Sequence, residues 1–191
     1  MPMQAEQWFQ QAEVAPLIEE RTDHYLVLRE LAFISIKLRG GRFEVKRRDA
    51  DFGPAVFGSR VNGRLALWRK WGFAVTGEGA TSPPDHHWAT VDKERHLRKY
   101  SVGSAGVLSA VDPKTFPEQG CTIELTRLKV RGAEWWSVGF EAFGPDEAQL
   151  QGTLKCVAAL AFDLGDHPEF RREDSFDYPE WLSIQQPACS A

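Results

Sequence analysis

The sequence predicts a strand-dominated α+β domain built on an antiparallel sheet, and three observations carry that prediction. Two alternating runs, ISIKLR and RFEVKRR, flank Gly40-Gly41. The alternation is that of half-buried strands, and the glycine pair suits a two-residue hairpin turn with positive φ. The same division into an apolar and a polar face recurs in CTIELTRLKV and WWSVGFEAF, with a turn near Arg131-Gly132-Ala133 between them. Only one stretch, residues 145–164, carries a clear helical period.

The N-terminal segment QAEQWFQQAE has helical propensities but is short and poorly capped, so its conformation stays open. RTDHYLVL alternates weakly and reads as a strand. The Gly40-Gly41 hairpin sets Arg39 against Arg42, Lys37 against Glu44 and Ser35 against Lys46. Its polar side then carries Lys37, Arg39, Arg42, Glu44, Lys46 and Arg48, and its apolar side Ile34, Ile36, Leu38, Phe43 and Val45. Arg39 and Arg42 are unfavourable neighbours unless solvent or a bound anion relieves them. Asn62-Gly63 followed by RLALWRKW suggests another turn and strand. GEGATSPPDHH is a loop by composition, and WATVDKERHLRKY a strand with Lys93 and Arg95 on one side. In the helical stretch, Gly144-Pro145 supplies a cap and first turn, Leu150, Leu154, Val157, Leu160/Ala161 and Leu164 recur at helical spacing, and Gly165 supplies the stop. The aromatic run Tyr178-Pro179-Glu180-Trp181-Leu182 is expected to anchor the C-terminal segment to the sheet.

Composition bounds the function. The 191 residues are 42% hydrophobic and 26% charged, which excludes disordered, collagen-like and fibrous classes. A single domain over 1–191 is the default at this length. With 23 basic and 27 acidic residues the formal charge is −4, which argues against a general nucleic-acid or anionic-membrane binder. Charge is nonetheless uneven: residues 37–48 hold six basic side chains against Glu44, whereas 163–180 hold seven acids against Arg171 and Arg172. Cys121, Cys156 and Cys189 lack the spacing of a zinc knuckle or disulfide framework. No signal peptide or membrane-length apolar run is evident, so a cytoplasmic location is expected.

A charged strand face is ordinarily just solvated, but here several strands pair an apolar face with cations or lone carboxylates. A sheet that curls shut can enclose such polar faces in a wet, charge-balanced lumen, leaving the apolar faces outside for the helix at 145–164 to cover. Other constellations point less far. Adjacent histidines in Asp85-His86-His87 diverge on an extended chain, His24 and Asp23 face opposite sides of a strand, and Cys121 sits on an apolar face as core. No Walker-type phosphate loop or Gly-x-Ser-x-Gly elbow occurs.

The order of these elements resembles the CYTH superfamily of triphosphate tunnel proteins. RTDHYL is similar to that family's second strand, Lys37-Leu38-Arg39 and Glu44-Val45-Lys46 to its basic strands, Lys93 and Arg95 to the next, and Glu124 and Glu141 to its mid-barrel and late-strand acids. The resemblance implies a closed or nearly closed eight-stranded antiparallel β-barrel with covering helices. It implies that Lys37, Arg39, Lys46, Arg48, Lys93 and Arg95 clamp a triphosphate or inorganic polyphosphate. Glu6, Glu124 and Glu141 would hold Mg²⁺ or Mn²⁺, with Glu124 and Glu141 catalytic in phosphohydrolysis. The family's first-strand Glu-x-Glu-x-Lys is reduced here to Gln4-Ala5-Glu6-Gln7-Trp8, and Gly139 stands where a second late-strand acid would be. A non-catalytic barrel-type protein binding an organic phosphate or a small apolar ligand is therefore the alternative expectation.

Overall fold

The computed structural model describes residues 1–12, 14–28, 30–75, 87–103, 106–163 and 165–185. The period-2 runs become one eight-stranded antiparallel sheet. Its strands are β1 (Leu17–Leu26), β2 (Ile34–Arg39), β3 (Arg42–Phe57), β4 (Val61–Ala74), β5 (Trp88–Val102), β6 (Leu108–Val111), β7 (Gly120–Val130) and β8 (Ala133–Phe143). The spatial order is β4-β3-β2-β1-β5-β7-β8, with β6 on the far end of β5. Three helices complete it: α1 (Met3–Gln10), α2 (Glu147–Phe162) and α3 (Tyr178–Ile184).

Local chemistry sets the register. Gly40 and Gly41 have φ of 52° and 71°, and the hairpin pairs Arg39 with Arg42, Lys37 with Glu44 and Ser35 with Lys46, as the alternation predicts. Arg131 and Gly132, φ 51° and 80°, make the matching turn between β7 and β8. Asn62-Gly63 does not turn. It lies inside β4, and the chain reverses earlier at 58–60, where Gly58 takes the positive φ of 60°.

The sheet is an open, strongly curled half-barrel rather than a closed or nearly closed barrel. Its end strands, β4 and β8, share no ladder among the described residues. Two bulges in β3, between Arg48 and Ala50 and between Asp51 and Gly53, bend the long hairpin away from a closing register. Its far end meets the helical layer instead: Phe57 packs on Phe162 at 6.1 Å, and Val61 forms a parallel bridge with Phe170. Side chains span the seam, Lys46 to Glu141 at 3.3 Å and Arg69 to Glu147.

The two faces carry opposite chemistry. On the outer face of β7 and β8, Cys121, Ile123 and Leu125 pack with Trp136, Val138, Phe140 and Ala142. α1 covers them with Ala5, Trp8 and Phe9, and α2 with Val157 and Ala161. The Trp8 indole donates to the Ala161 carbonyl at 2.9 Å and stacks on Phe162, tying the two helices together. α2 covers the outer face as expected, although Asp146 rather than Gly144-Pro145 caps it, accepting from the Ala148 amide at 2.9 Å. Its buried side is Thr153, Val157, Ala158 and Ala161, while Leu160 is exposed. Burial pushes the Cys121 thiol up to about 12, in keeping with a core residue.

Close approach of β5 and β7 gives a stability test. A methyl at Gly120 would drive into the Tyr100 carbonyl oxygen and lie 2.9 Å from the Phe143 ring, whereas at Gly139 it meets nothing. Gly120→Ala is expected to lose at least about 1–3 kcal/mol by urea unfolding, and Gly139→Ala to lose none. Equal midpoints for the two variants would refute this packing.

Candidate anion-binding cup

Alternation puts every second residue of the curled strands inside. The concave side receives Glu19, Arg21, Asp23 and Tyr25 from β1, Lys37 and Arg39 from β2, and Glu44, Lys46 and Arg48 from β3. It also receives Lys70 from β4, Lys93 and Arg95 from β5, Glu124 and Thr126 from β7, and Glu141 from β8. α3 closes one end. Leu182 packs among Tyr25, Val27, Ala89, Val91, Leu128 and Val130, and Tyr178 stacks parallel on Tyr25 at 5.3 Å. The aromatic run 178–182 thus anchors the C-terminal segment, inside the half-barrel, and the expected tunnel is a cup.

Asp23 is the floor of this cup and is fully buried. Lys93 Nζ lies 3.0 Å from its carboxylate, Arg21 3.5 Å, and Lys37 and Arg39 3.9 Å. The Tyr25 hydroxyl donates to Asp23 at 3.2 Å and accepts from Lys93 at 2.7 Å. Lys93 also sits over the rings of Tyr178 and Tyr25, at 3.9 and 4.9 Å. Burial alone would raise the Asp23 carboxyl, but Lys93, Lys37 and Arg21 outweigh it and hold it at about 2. Desolvation pulls Lys93 down to about 8 against the attraction of Asp23.

Two further ion clusters rise from the floor. Glu44 takes Lys37 at 2.8 Å and Lys70 at 2.9 Å, with Arg39 farther off at 3.8 Å. Arg95 bridges Glu19 at 2.6 Å and Glu124, whose other oxygen accepts from Thr126 at 2.6 Å. Burial opposes ionisation of Glu44 and Glu124, yet these partners hold both at about 2. At the plugged end Arg48 pairs with Asp177 of the α3 cap at 2.9 Å, and at the seam Lys46 pairs with Glu141 at 3.3 Å. Eight basic side chains (Arg21, Lys37, Arg39, Lys46, Arg48, Lys70, Lys93, Arg95) thus meet six carboxylates (Glu19, Asp23, Glu44, Glu124, Glu141, Asp177). The concave face is cationic within an acidic protein.

The structure brings together all six basic residues expected to clamp an anion, with Glu124 and Glu141. Glu6 is not among them. Gln4-Ala5-Glu6-Gln7-Trp8 lies in α1 on the outer layer, where Ala5 and Trp8 are core, and Glu6 pairs with Arg127 at 3.2 Å. Glu124 and Glu141 occupy diagonal positions on neighbouring strands, but Arg95 and Thr126 engage both oxygens of Glu124, and Glu141 faces Lys46 from an exposed position. Among the described residues no group of three His, Cys, Asp or Glu side chains could hold a metal ion. Glu6, Glu124 and Glu141, the three expected metal ligands, therefore do not converge on one point. Asp85 and His86 lie outside the described residues.

Site residues missed by the sequence reading are Glu19, Arg21, Asp23, Lys70 and Tyr178. The signal for the first three was the i, i+2 series Glu19-x-Arg21-x-Asp23, whose last two members lie inside RTDHYL, the segment likened to a second strand. Comparison of the chain with protein-family models, curated proteins and solved structures finds no match. Fold and site together define a curled antiparallel half-barrel with a cation-rich concave face and a helical plug.

Proposed function

We propose that the chain binds a phosphorylated anion of the triphosphate class in the cup. The single observation that carries this reading is the surplus of cations on one concave face, with Arg39 and Lys70 part-exposed toward its open end. Arg39 reaches Asp23 and Glu44 only at 3.9 and 3.8 Å and has a side chain 38% exposed, and Lys70 is 53% exposed. Arg39 exchanges long contacts, and the exposed Lys70 a 2.9 Å pair with Glu44, for charge-assisted bonds to phosphate at little cost in burial, and the arginine fork matches phosphate oxygens. The juxtaposition of Arg39 and Arg42 across the hairpin tip is eased by the same ligand.

Binding without efficient turnover is favoured over hydrolysis. A general base works best with a pKa near the operating pH. Asp23, Glu44 and Glu124 are held at about 2 and are already engaged by cations.

Calorimetric titration with tripolyphosphate at low salt, with and without Mg²⁺, tests the reading. Binding that weakens with ionic strength, accompanied by no phosphate release, is the expected result. Arg39→Gln and Lys70→Gln should each reduce affinity about tenfold, the loss of one charge-assisted contact, while Lys114→Gln, exposed in the β6–β7 connection, should change nothing. Absence of heat at millimolar tripolyphosphate would overturn the proposal, and metal-dependent phosphate release would replace it with the hydrolytic one.

A further inference from the structure

The open seam contains a slot that anion clamping leaves unused. Between the bulged β3–β4 hairpin and α2 lies a cavity of about 260 Å³, with Phe52, Leu65, Trp68, Phe140 and Leu154 on its apolar walls, and Lys46, Glu141 and Glu147 as its charged lining, the two acids paired with Lys46 and Arg69. A second hollow of about 370 Å³ continues it, sharing Phe52, Leu65 and Gln151. Lys46 and Trp68 project from the concave face, whereas Phe140 and Leu154 belong to the outer layer. The slot therefore runs through the seam, from the cationic cup to the helical layer. The bulges at 48–50 and 51–53 create it by turning the hairpin over α2 and leaving Phe52 44% exposed at the rim.

Resting on the anion-binding reading above, we infer that the physiological ligand is a phosphate or diphosphate ester of an apolar alcohol, its anionic head on the cup cations and its apolar body in the seam slot. Charge and shape select this class together. Lys46 stands where an esterified oxygen would leave the cup, and Arg48, 5.9 Å over the Trp68 ring, fixes the indole as a wall. Aromatic and branched side chains then receive the body, the usual division of labour in small-molecule sites, apolar lining with a few placed charges. An inorganic polyphosphate would satisfy only the cup and leave the apolar walls wet.

Isothermal titration of the whole chain with geranyl diphosphate and with inorganic diphosphate separates the two. The organic ester should bind at least about tenfold tighter, because its methylene and methyl groups leave water. Ala66 lies on the slot wall at an exposed strand position. Ala66→Trp should fill the slot and bring geranyl diphosphate to the affinity of inorganic diphosphate, which itself stays unchanged. Leu154→Gln, which makes the same wall polar without adding bulk, should act in the same direction and serves if Ala66→Trp fails to fold. Equal affinities in the wild-type chain, or a preference that survives both variants, would overturn this inference and leave anion binding standing. Failure of both diphosphates and of tripolyphosphate to bind would remove both readings.

Discussion

Asp23→Asn is expected to lower the free energy of unfolding by about 3–5 kcal/mol, the usual consequence of removing one member of a buried ion cluster. The substitution keeps shape and a hydrogen-bond acceptor, so the loss reports charge. Lys93, with a side chain 1% exposed, is left with Tyr25 and the face of Tyr178 but no carboxylate within bonding distance. Guanidinium unfolding measures the loss, and the double variant Asp23→Asn/Lys93→Met separates its origin. An apolar side chain beneath Tyr178 no longer needs the carboxylate, so the double variant should recover most of the stability. A single variant within about 1 kcal/mol of wild type would show that the cup floor is not a dry ion cluster.

Acid should act on the same cluster. Asp23 falls from 3.8 to about 2 on folding, and Glu44 and Glu124 from 4.5 to about 2. Lowered carboxylates contribute stability that is complete above the unfolded values and lost as pH falls through the folded ones. The protein should therefore weaken steeply from about pH 4.5 to pH 2, by about 2 kcal/mol from Asp23 alone. Lys93 acts in the alkaline range with a slope of the same sign. Burial lowers it from 10.5 to about 8, so between these values the unfolded chain holds more protons and this group favours folding increasingly as pH rises. Asp23→Asn should flatten the acid slope.

Local alternation and turn chemistry were legible in the sequence, and global closure was not. Gly40-Gly41 fixed a hairpin register that the structure reproduces pair for pair, and Cys121, Ile123 and Leu125 read as one buried face because period 2 is a property of the backbone. Asn62-Gly63 carried the composition of a turn, yet β3 and β4 run past it, because tertiary pairing along a fourteen-residue strand outweighs a dipeptide preference. Closure failed to show for a different reason. The bulges at 48–50 and 51–53 are produced by the meeting of two strands, and no period in RRDADFGP announces them. The charged faces were visible one strand at a time, so Lys37, Arg39, Lys93 and Arg95 could be named. Lys70 and Tyr178 entered only when β4 and α3 were folded over them. Glu6 went astray because α1 places its apolar side, Ala5, Trp8 and Phe9, on the outer core, which turns the carboxylate toward Arg127.

The plug makes the second large effect. Leu182 is 2% exposed against Tyr25, Val27, Ala89, Val91, Leu128 and Val130, and Leu182→Ala should cost about 2–5 kcal/mol through lost transfer energy and a residual cavity. The loss should be local before it is global. α3 is only seven residues long, and few elements besides its apolar contacts retain it: the Arg48–Asp177 and Arg64–Glu180 pairs at 2.9 and 3.1 Å and the Arg131 bond to the Gln185 carbonyl. Hydrogen exchange in Leu182→Ala should therefore quicken first at α3, while the β5–β7 amides keep their protection. Release of α3 frees Arg48 from Asp177, while Arg64 keeps Asp51 as a partner, so tripolyphosphate should bind the variant more tightly than wild type, with a steeper salt dependence. Asp177→Asn/Glu180→Gln tests the charge half of this alone, since asparagine keeps the cap that Asp177 provides to the Glu180 amide. It should raise affinity in the same direction with little loss of stability. If α3 exchanges only with global unfolding and neither variant binds the anion more tightly, then α3 is a structural element of the half-barrel wall, and its acids do not compete for the cations of the cup.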